Sequence, residues 1–294
     1  MNSNRIVRVS RGERIFHVVI VIFLLIFTLM CVLPFLNVLS SSFATQAELT
    51  TNPFILIPTT FTLNAYRYIL STPTIFRSIG VSVFVTVVGT ALSMILTSFM
   101  AYALSRKYLH GRKVINFLVV FTMLFSGGMI PSFILVQSLG LMDSLWSLIL
   151  PSAVSAYNMI IMRNFFQGIP DSLEESAKMD GCTDWGVFFK IILPLSLPSI
   201  ATISLFYAVS YWNNYQTAIL YITSANKWPV QILLRQIVIV SSGIDADASA
   251  MDVIPPAQSV KMAVIIIATL PMLAVYPFIQ KYFVKGAMIG SVKG

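Results

Sequence analysis

A charged stretch lies between two long apolar runs in the second half of the chain: PDSLEESAKMDGCTDWGVFFKIILPLSLP, residues 170–198. Ser172 and Glu175 have the spacing of a capping box, in which each side chain bonds a free backbone N–H at a helix start. Gly181 offers a left-handed helix cap, and Asp184 offers the start of a second helix that Pro194 interrupts. The stretch therefore predicts two short helices joined at a glycine, a shape that fits a groove on another protein.

The composition is that of an integral membrane protein. Of the 294 residues, 57% are hydrophobic and only 10% are charged, and the mean hydropathy is +0.84. A soluble domain carries about 25% charged residues, so the basic pI indicates membrane topology rather than nucleic-acid binding. Cys31 and Cys182 give neither a disulfide framework nor a metal-binding spacing.

Six apolar runs are long enough to cross a bilayer, which takes about 20 residues in a helix. We predict an all-α fold in which one domain, residues 15–283, has spans at 15–36, 78–104, 114–139, 145–162, 195–221 and 260–283. The first run is longer than a signal-peptide core and lacks a close cleavage site, so we expect an uncleaved helix after a basic segment, residues 1–14. Residues 284–294 form a tail.

The connecting segments also carry local signals. The loop 37–77 ends in a short amphipathic piece, Asn64–Leu70, and the loop 222–259 contains a helix-length run, Trp228–Val240. The glycines in Ser126–Pro131 predict an interruption of the third span, which a membrane tolerates only where the backbone faces protein or a cavity.

Positive charge predicts the orientation. Most of the 19 lysines and arginines fall in the two termini and in the segments around 105–113 and 163–194. Cytoplasmic loops carry the excess of Lys and Arg. We therefore place both termini and the charged stretch in the cytoplasm, and the loops 37–77 and 222–259 outside.

The charged stretch matches a known motif. Glu175-Ser176-Ala177, three residues, Gly181, nine residues and then Ile191-x-Leu193-Pro194 resemble the EAA motif of the membrane subunits of ATP-binding-cassette (ABC) importers, with Ser176 in place of an alanine. The resemblance implies that this loop is a coupling helix seated on a separate ATPase. The residues it assigns to that contact are Leu173, Glu174, Glu175, Ser176, Ala177, Asp180 and Gly181.

Further blocks extend the resemblance to the carbohydrate branch of these permeases, including the maltose-type second permease and permeases for acidic oligosaccharides. They are residues 97–106, 121–131, 158–170, 261–282 and 285–294. The resemblance implies a type I importer in a bacterial inner membrane. Its partners would be a second homologous permease, two ATPase subunits that hold ATP and Mg, an extracytoplasmic solute-binding protein, membrane lipid and an oligosaccharide. It also places Val292, Lys293 and Gly294 at the ATPase interface.

Aromatic and amide side chains cluster in two predicted spans. They are Tyr157 and Asn158 in the fourth span and Tyr211, Trp212, Asn213, Asn214 and Tyr215 in the fifth. Aromatic faces and amides suit sugar rings and hydroxyls, which makes these residues candidates for a solute path. The alternative is an aromatic belt at the membrane surface.

Other functions have weaker support. The chain has no Gly-x-x-x-x-Gly-Lys-Ser/Thr motif and no nucleophile–base pair, so we expect a non-catalytic subunit without a cofactor or metal of its own. Asp245, Asp247 and Asp252 lack the EF-hand spacing, and whether they bind a cation stays open. A permease for peptides or amino acids and an ion-coupled transporter are the alternatives; away from their ends, the predicted spans carry none of the acidic residues or lysines that ion coupling typically uses.

Overall fold

The computed structural model describes residues 11–241 and 258–291, and within these ranges the chain is helical and contains no strand. Its α-helices, in chain order, are α1 Arg11–Ser42, α2 Gln46–Thr51, α3 Asn64–Ser71, α4 Pro73–Ser105, α5 Arg112–Leu124, α6 Met129–Ser138, α7 Trp146–Ile149, α8 Ala156–Gln167, α9 Asp171–Met179, α10 Asp184–Val187, α11 Leu193–Leu195, α12 Leu197–Trp212, α13 Gln216–Tyr221, α14 Val230–Ser241 and α15 Gln258–Ser291.

The chain divides into two compact units. The first comprises Met1–Ser71 with Ser249–Ile267, and the second Thr72–Ala248 with Ala268–Gly294. In the first unit the segment after α1 is folded rather than extended: the Phe43 ring stacks on Phe61 and Tyr66, with centroids 4.8 and 5.0 Å away. Glu48 accepts a hydrogen bond from the Thr59 N–H at 2.7 Å. The apolar side chains along α1 are exposed, as expected for a helix surrounded by lipid.

The second unit is built around α4, which packs against α8 and α12. The face that α4 buries carries small and hydroxyl side chains, among them Ser93, Thr97 and Ala101. Small residues let helices approach closely in a membrane. Ser93 bonds the Tyr211 hydroxyl at 2.9 Å and Thr97 bonds the Tyr207 hydroxyl at 2.7 Å, so these two hydroxyls of α4 are satisfied by the neighbouring helix α12.

The all-α membrane fold is confirmed, but the spans are less continuous than predicted. In the described ranges three helices are long and apolar enough to cross a membrane: Gly12–Ser42, Pro73–Ser105 and Gln258–Val275. Two further pairs of helices are each bent at a short break, and the number of possible spans is five if each pair counts as one span. They are α5 with α6, bent by 113°, and Asp184–Leu195 with α12, bent by 80°. The first bend falls at the interruption predicted for Ser126–Pro131, where Gly128 has φ +90°.

The fourth predicted span, 145–162, is not one helix. It consists of α7, a 3₁₀ turn Leu150–Ser152 and the start of α8. Pro151 has no N–H to donate to a continuing helix, and the Ser155 side chain accepts the Asn158 N–H at 3.4 Å, which starts α8 anew. The fifth span breaks similarly before α13, where Asn214 accepts bonds from the Thr217 N–H and hydroxyl.

Local details of the charged stretch also differ from prediction. No capping box forms, because α9 already begins at Asp171, directly after Pro170, and has no side-chain cap. Thr183 rather than Asp184 caps α10, accepting the Gly186 N–H at 3.3 Å. Pro194 itself does not end this helix, which continues as a π-helical turn, Phe188–Ile192, into α11; the chain bends by 80° two residues later, at Ser196.

Three other local predictions are confirmed. Gly181 has φ +82°, the left-handed conformation expected after α9. The amphipathic piece predicted at Asn64–Leu70 is α3, and the helix predicted at Trp228–Val240 is α14.

Candidate functional site

The charged stretch is attached to the end of α4 by a partly buried ion pair. Arg106, the C-cap of α4, donates to Glu174 of α9, and their side chains are only 10% and 11% exposed. The Lys178 ammonium lies 3.0 Å from the other Glu174 oxygen and 3.0 Å from Asp184. The carboxylate of Glu174 is therefore directed into its own chain, not toward a partner.

A second set of contacts surrounds this pair. Lys107 bonds Asp171 at 2.7 Å, and Tyr108 donates to Asp184 at 3.3 Å. The hydrogen bond from Lys107 holds the pKa of Asp171 below its usual range, and the bond from Lys178 does the same to the pKa of Asp184. The same bond raises the pKa of Lys178. These charges fix α9 and the start of α10 to the end of α4.

The opposite side of α9 has no partner in the described chain. Leu173, Glu175, Ser176, Asp180 and Gly181 are exposed, whereas Ala177, like Glu174, is buried. Of the predicted coupling residues, five are thus available to another protein and two hold the helix in place.

The structure adds residues that sequence reasoning missed. Met179 is 89% exposed and Trp185 64% exposed beside the predicted coupling residues, and both enlarge the apolar part of this surface. Arg106 was missed because it lies 68 residues before Glu174. Its place at the predicted cytoplasmic end of a span, next to an acidic loop, is the signal that could have found it.

Two of the predicted solute-path residues belong to the core. Tyr211 and Trp212 are 5% and 3% exposed. Tyr211 bonds Ser93 and donates to the Ile149 carbonyl at 3.2 Å, and Trp212 donates to the Ala268 carbonyl at 2.9 Å. In this structure the polar atoms of both residues join helices, and their place on a solute path stays a prediction. Their polar atoms bond to residues that are distant in sequence, so a single sequence does not show that these side chains are buried.

The other predicted path residues differ in exposure. Tyr157 and Tyr215 are exposed by 56% and 48%. Asn158 is buried, and Asn214 caps the start of α13. Asn213 is exposed and, with one side of Trp212, lines a cavity of about 470 Å³ between α12, α14 and α15.

The cavity combines an apolar wall with a few polar groups. Leu205, Val209, Leu234, Met272 and Leu273 supply apolar surface, and Gln231 and Thr269 add an amide and a hydroxyl that the sequence did not single out. This is the composition of sites that bind small molecules.

The described residues hold no cluster of three or more metal-binding side chains. Val292, Lys293 and Gly294, and the acidic residues Asp245, Asp247 and Asp252, lie outside the described residues.

Comparison with known proteins gives consistent matches. Protein YtcP of Bacillus subtilis (strain 168), a polygalacturonan/rhamnogalacturonan transport system permease protein, is 66% identical over 284 residues, covering 96% of this chain and 99% of the relative. Protein LplC of the same organism is 53% identical over 286 residues, covering 97% of each chain.

A solved structure agrees with these relatives. A chain in the crystal structure of a bacterial ABC transporter involved in the import of the acidic polysaccharide alginate matches with a TM-score of 0.85 and 34% identity. The match covers 93% of this chain and 98% of that chain. A sequence model of one family, described as binding-protein-dependent transport system inner membrane component, matches residues 93–288. The chain therefore belongs to the family of binding-protein-dependent transport system inner membrane components.

Proposed function

We propose that this chain is the permease subunit of an ABC importer that takes up an acidic oligosaccharide from an extracytoplasmic binding protein. The observation that carries the proposal is the surface of α9. The helix is fixed to its own chain by Glu174 and Ala177, while Leu173, Glu175 and Met179 remain exposed on it. An exposed, rigidly held helix on the predicted cytoplasmic side fits a protein that pushes on the permease.

The energy for transport would come from that partner. The chain has no phosphate-binding loop of its own, so ATP and Mg would be held by two ATPase subunits. Closure of the ATPases would displace α9, and Arg106 would carry the displacement into α4 because the ion pair joins the two helices. A second, homologous permease would supply the other half of the path, and the pair would alternate between inward- and outward-open states.

The substrate class is inferred from the relatives and from the cavity. Relatives named for polygalacturonan/rhamnogalacturonan transport and for alginate import handle acidic polysaccharides. The amides of Asn213 and Gln231 offer hydrogen bonds to hydroxyls, and Trp212 and Met272 offer apolar surface to the faces of sugar rings. The cavity lining contains no Lys or Arg, so acidic groups would be selected by the binding protein or the second permease.

Purification from the native membrane tests the assembly. We expect a second permease and an ATPase to co-purify with this chain, and uptake by the reconstituted complex to require ATP and binding protein. Oligogalacturonides should compete for uptake, whereas neutral oligosaccharides and peptides should not. Uptake that survives ATP depletion but needs an ion gradient would refute the proposal, and competition by peptides alone would refute its substrate class.

Gly181→Asp tests the coupling surface. The left-handed φ of +82° makes any Cβ strained here, and the new charge would face the partner. We expect loss of uptake with normal membrane insertion. The control is Gly80→Ala in α4, where an added Cβ meets nothing within 4 Å and uptake should persist.

A further inference from the structure

Asp143 occupies an unusual backbone position in the turn between α6 and α7. Its φ of +54° makes it the one non-glycine residue with a positive φ in the described parts of the chain. Asp and Asn tolerate this left-handed conformation better than other residues with a side chain, because their short polar groups bond locally. Backbone strain of this kind persists where surrounding contacts hold it, and it often marks a functional position.

The contacts that hold Asp143 all come from residues 221–227. One carboxylate oxygen accepts the N–H groups of Thr223 and Ser224, at 3.1 and 2.9 Å. The other accepts the Ser224 hydroxyl at 2.6 Å and the Lys227 ammonium at 3.0 Å, and Lys227 also bonds the Asp143 carbonyl. The Asp143 N–H donates to the Tyr221 carbonyl at 2.8 Å. Two loops on the predicted outer side are thereby joined through one residue.

These contacts of Asp143 with residues 221–227, which we call the clamp, lie directly before a helix that lines the cavity. Three residues after Lys227, α14 begins at Val230, whose N–H donates to the buried Ser82 hydroxyl of α4 at 2.8 Å. The next residue is Gln231, which lines the cavity, as does Leu234 one turn later. The start of α14 is therefore held at two points, by Asp143 through the preceding loop and by Ser82 directly.

We propose that Asp143 is a positioning residue for solute passage, which sets the place of the α14 wall through Ser224 and Lys227. Asp143 touches no solute itself. The inference rests on the proposed function in one respect, namely that the cavity conducts the transported saccharide. The coupling of Asp143 to α14 does not depend on the proposed function.

Three substitutions separate the parts of the clamp. Asp143→Gly removes every side-chain bond but allows the left-handed backbone. Asp143→Asn also allows it and keeps an oxygen for the two backbone N–H groups, but loses the charge. Lys227→Met removes one arm of the clamp alone.

The first readout is the accessibility of the cavity wall. A single cysteine, Gln231→Cys, would be placed in a background with Cys31→Ser and Cys182→Ser and labelled by a charged, membrane-impermeant thiol reagent. We expect labelling to be about tenfold faster with Asp143→Gly. Hydrogen bonds to a charged acceptor contribute enough free energy that their loss should shift the equilibrium for local opening at the start of α14 by at least that factor. Asp143→Asn should stay within about threefold of the parent, and Lys227→Met should fall between.

The second readout is uptake by the reconstituted complex. A displaced wall should raise the KM for loaded binding protein several-fold with Asp143→Gly and leave the ATPase rate without binding protein unchanged, and Asp143→Asn should restore most of the loss. Equal labelling and equal KM in all variants would overturn the inference. Faster labelling without any uptake by the parent protein would instead refute the proposed function and leave the coupling of Asp143 to α14 intact.

Discussion

Replacing Arg106 with methionine would test how α9 is held to α4. The substitution keeps an unbranched side chain but leaves Glu174 charged at 11% side-chain exposure. Removing one partner of a buried ion pair costs about 3–5 kcal/mol, because the remaining charge is left without compensation. Lys178, 3.0 Å from the same carboxylate, still compensates part of it, so we expect a loss near 3 kcal/mol in the free energy that keeps α9 in place.

Hydrogen exchange of the α9 amides measures that free energy directly. A loss of 3 kcal/mol corresponds to about a hundredfold faster exchange, since 1.4 kcal/mol is one factor of ten. Lys107→Met is the matched control: the neighbouring residue also bonds a carboxylate of α9, but the side chains of that pair are 81% and 61% exposed. An exposed pair contributes at most about 1 kcal/mol, so exchange should change about fivefold or less.

The comparison of the two variants can refute the reasoning. If the α9 amides exchange equally fast in Arg106→Met and in Lys107→Met, burial does not set the strength of these ion pairs. If Arg106→Met leaves α9 protected but abolishes ATP-driven uptake, Arg106 acts on the partner rather than on Glu174. Exchanging the charges, with Arg106→Glu and Glu174→Arg together, should recover part of the protection only if the pair itself is responsible.

Three further outcomes follow from the geometry. Gly89→Ala would place a Cβ 2.9 Å from the Tyr211 ring and should lower stability in thermal unfolding by about 1–3 kcal/mol, whereas Gly80→Ala should be neutral. Asn213→Ala should alter the saccharide preference in competition uptake without changing co-purification of the partners; unchanged preference would remove Asn213 from the path. The Asp184–Lys178 contact should protect the amides of α10 fully between about pH 4 and pH 10, and the protection should decline as the pH falls through the lowered pKa of Asp184 or rises through the raised pKa of Lys178. Asp184→Asn should abolish the decline at low pH, whereas Lys178 keeps its contact with Glu174.

The features that were predictable from the sequence are those that depend on local signals. The break near Gly128, the left-handed Gly181 and helix α14 follow from glycines and apolar spacing within a few residues. The exact helix starts were misplaced: α10 is capped by Thr183, one residue before Asp184, and α9 begins after Pro170, two residues before the predicted cap Ser172.

The features that were not predictable depend on distant residues. Whether Tyr211 faces a solute or the core depends on Ser93 and the Ile149 carbonyl, which lie 118 and 62 residues away. The inward direction of Glu174 depends in the same way on Arg106. Polar residues of a membrane helix bond across to neighbouring helices, and a single sequence does not show which neighbour supplies the bond.

Helix α4 contacts both the helix that lines the cavity, α14, and the helix of the proposed coupling surface, α9. Ser82 near one end holds α14, and Arg106 at the other holds α9. The 24 residues between them span about 36 Å at 1.5 Å per residue. Ser93 and Thr97 bond α12 in between and would form the pivot. A tilt of about 5° about this pivot would shift each end by about 1.5 Å in opposite directions, so a small push at the predicted cytoplasmic end would displace the cavity wall by about half the width of a water molecule.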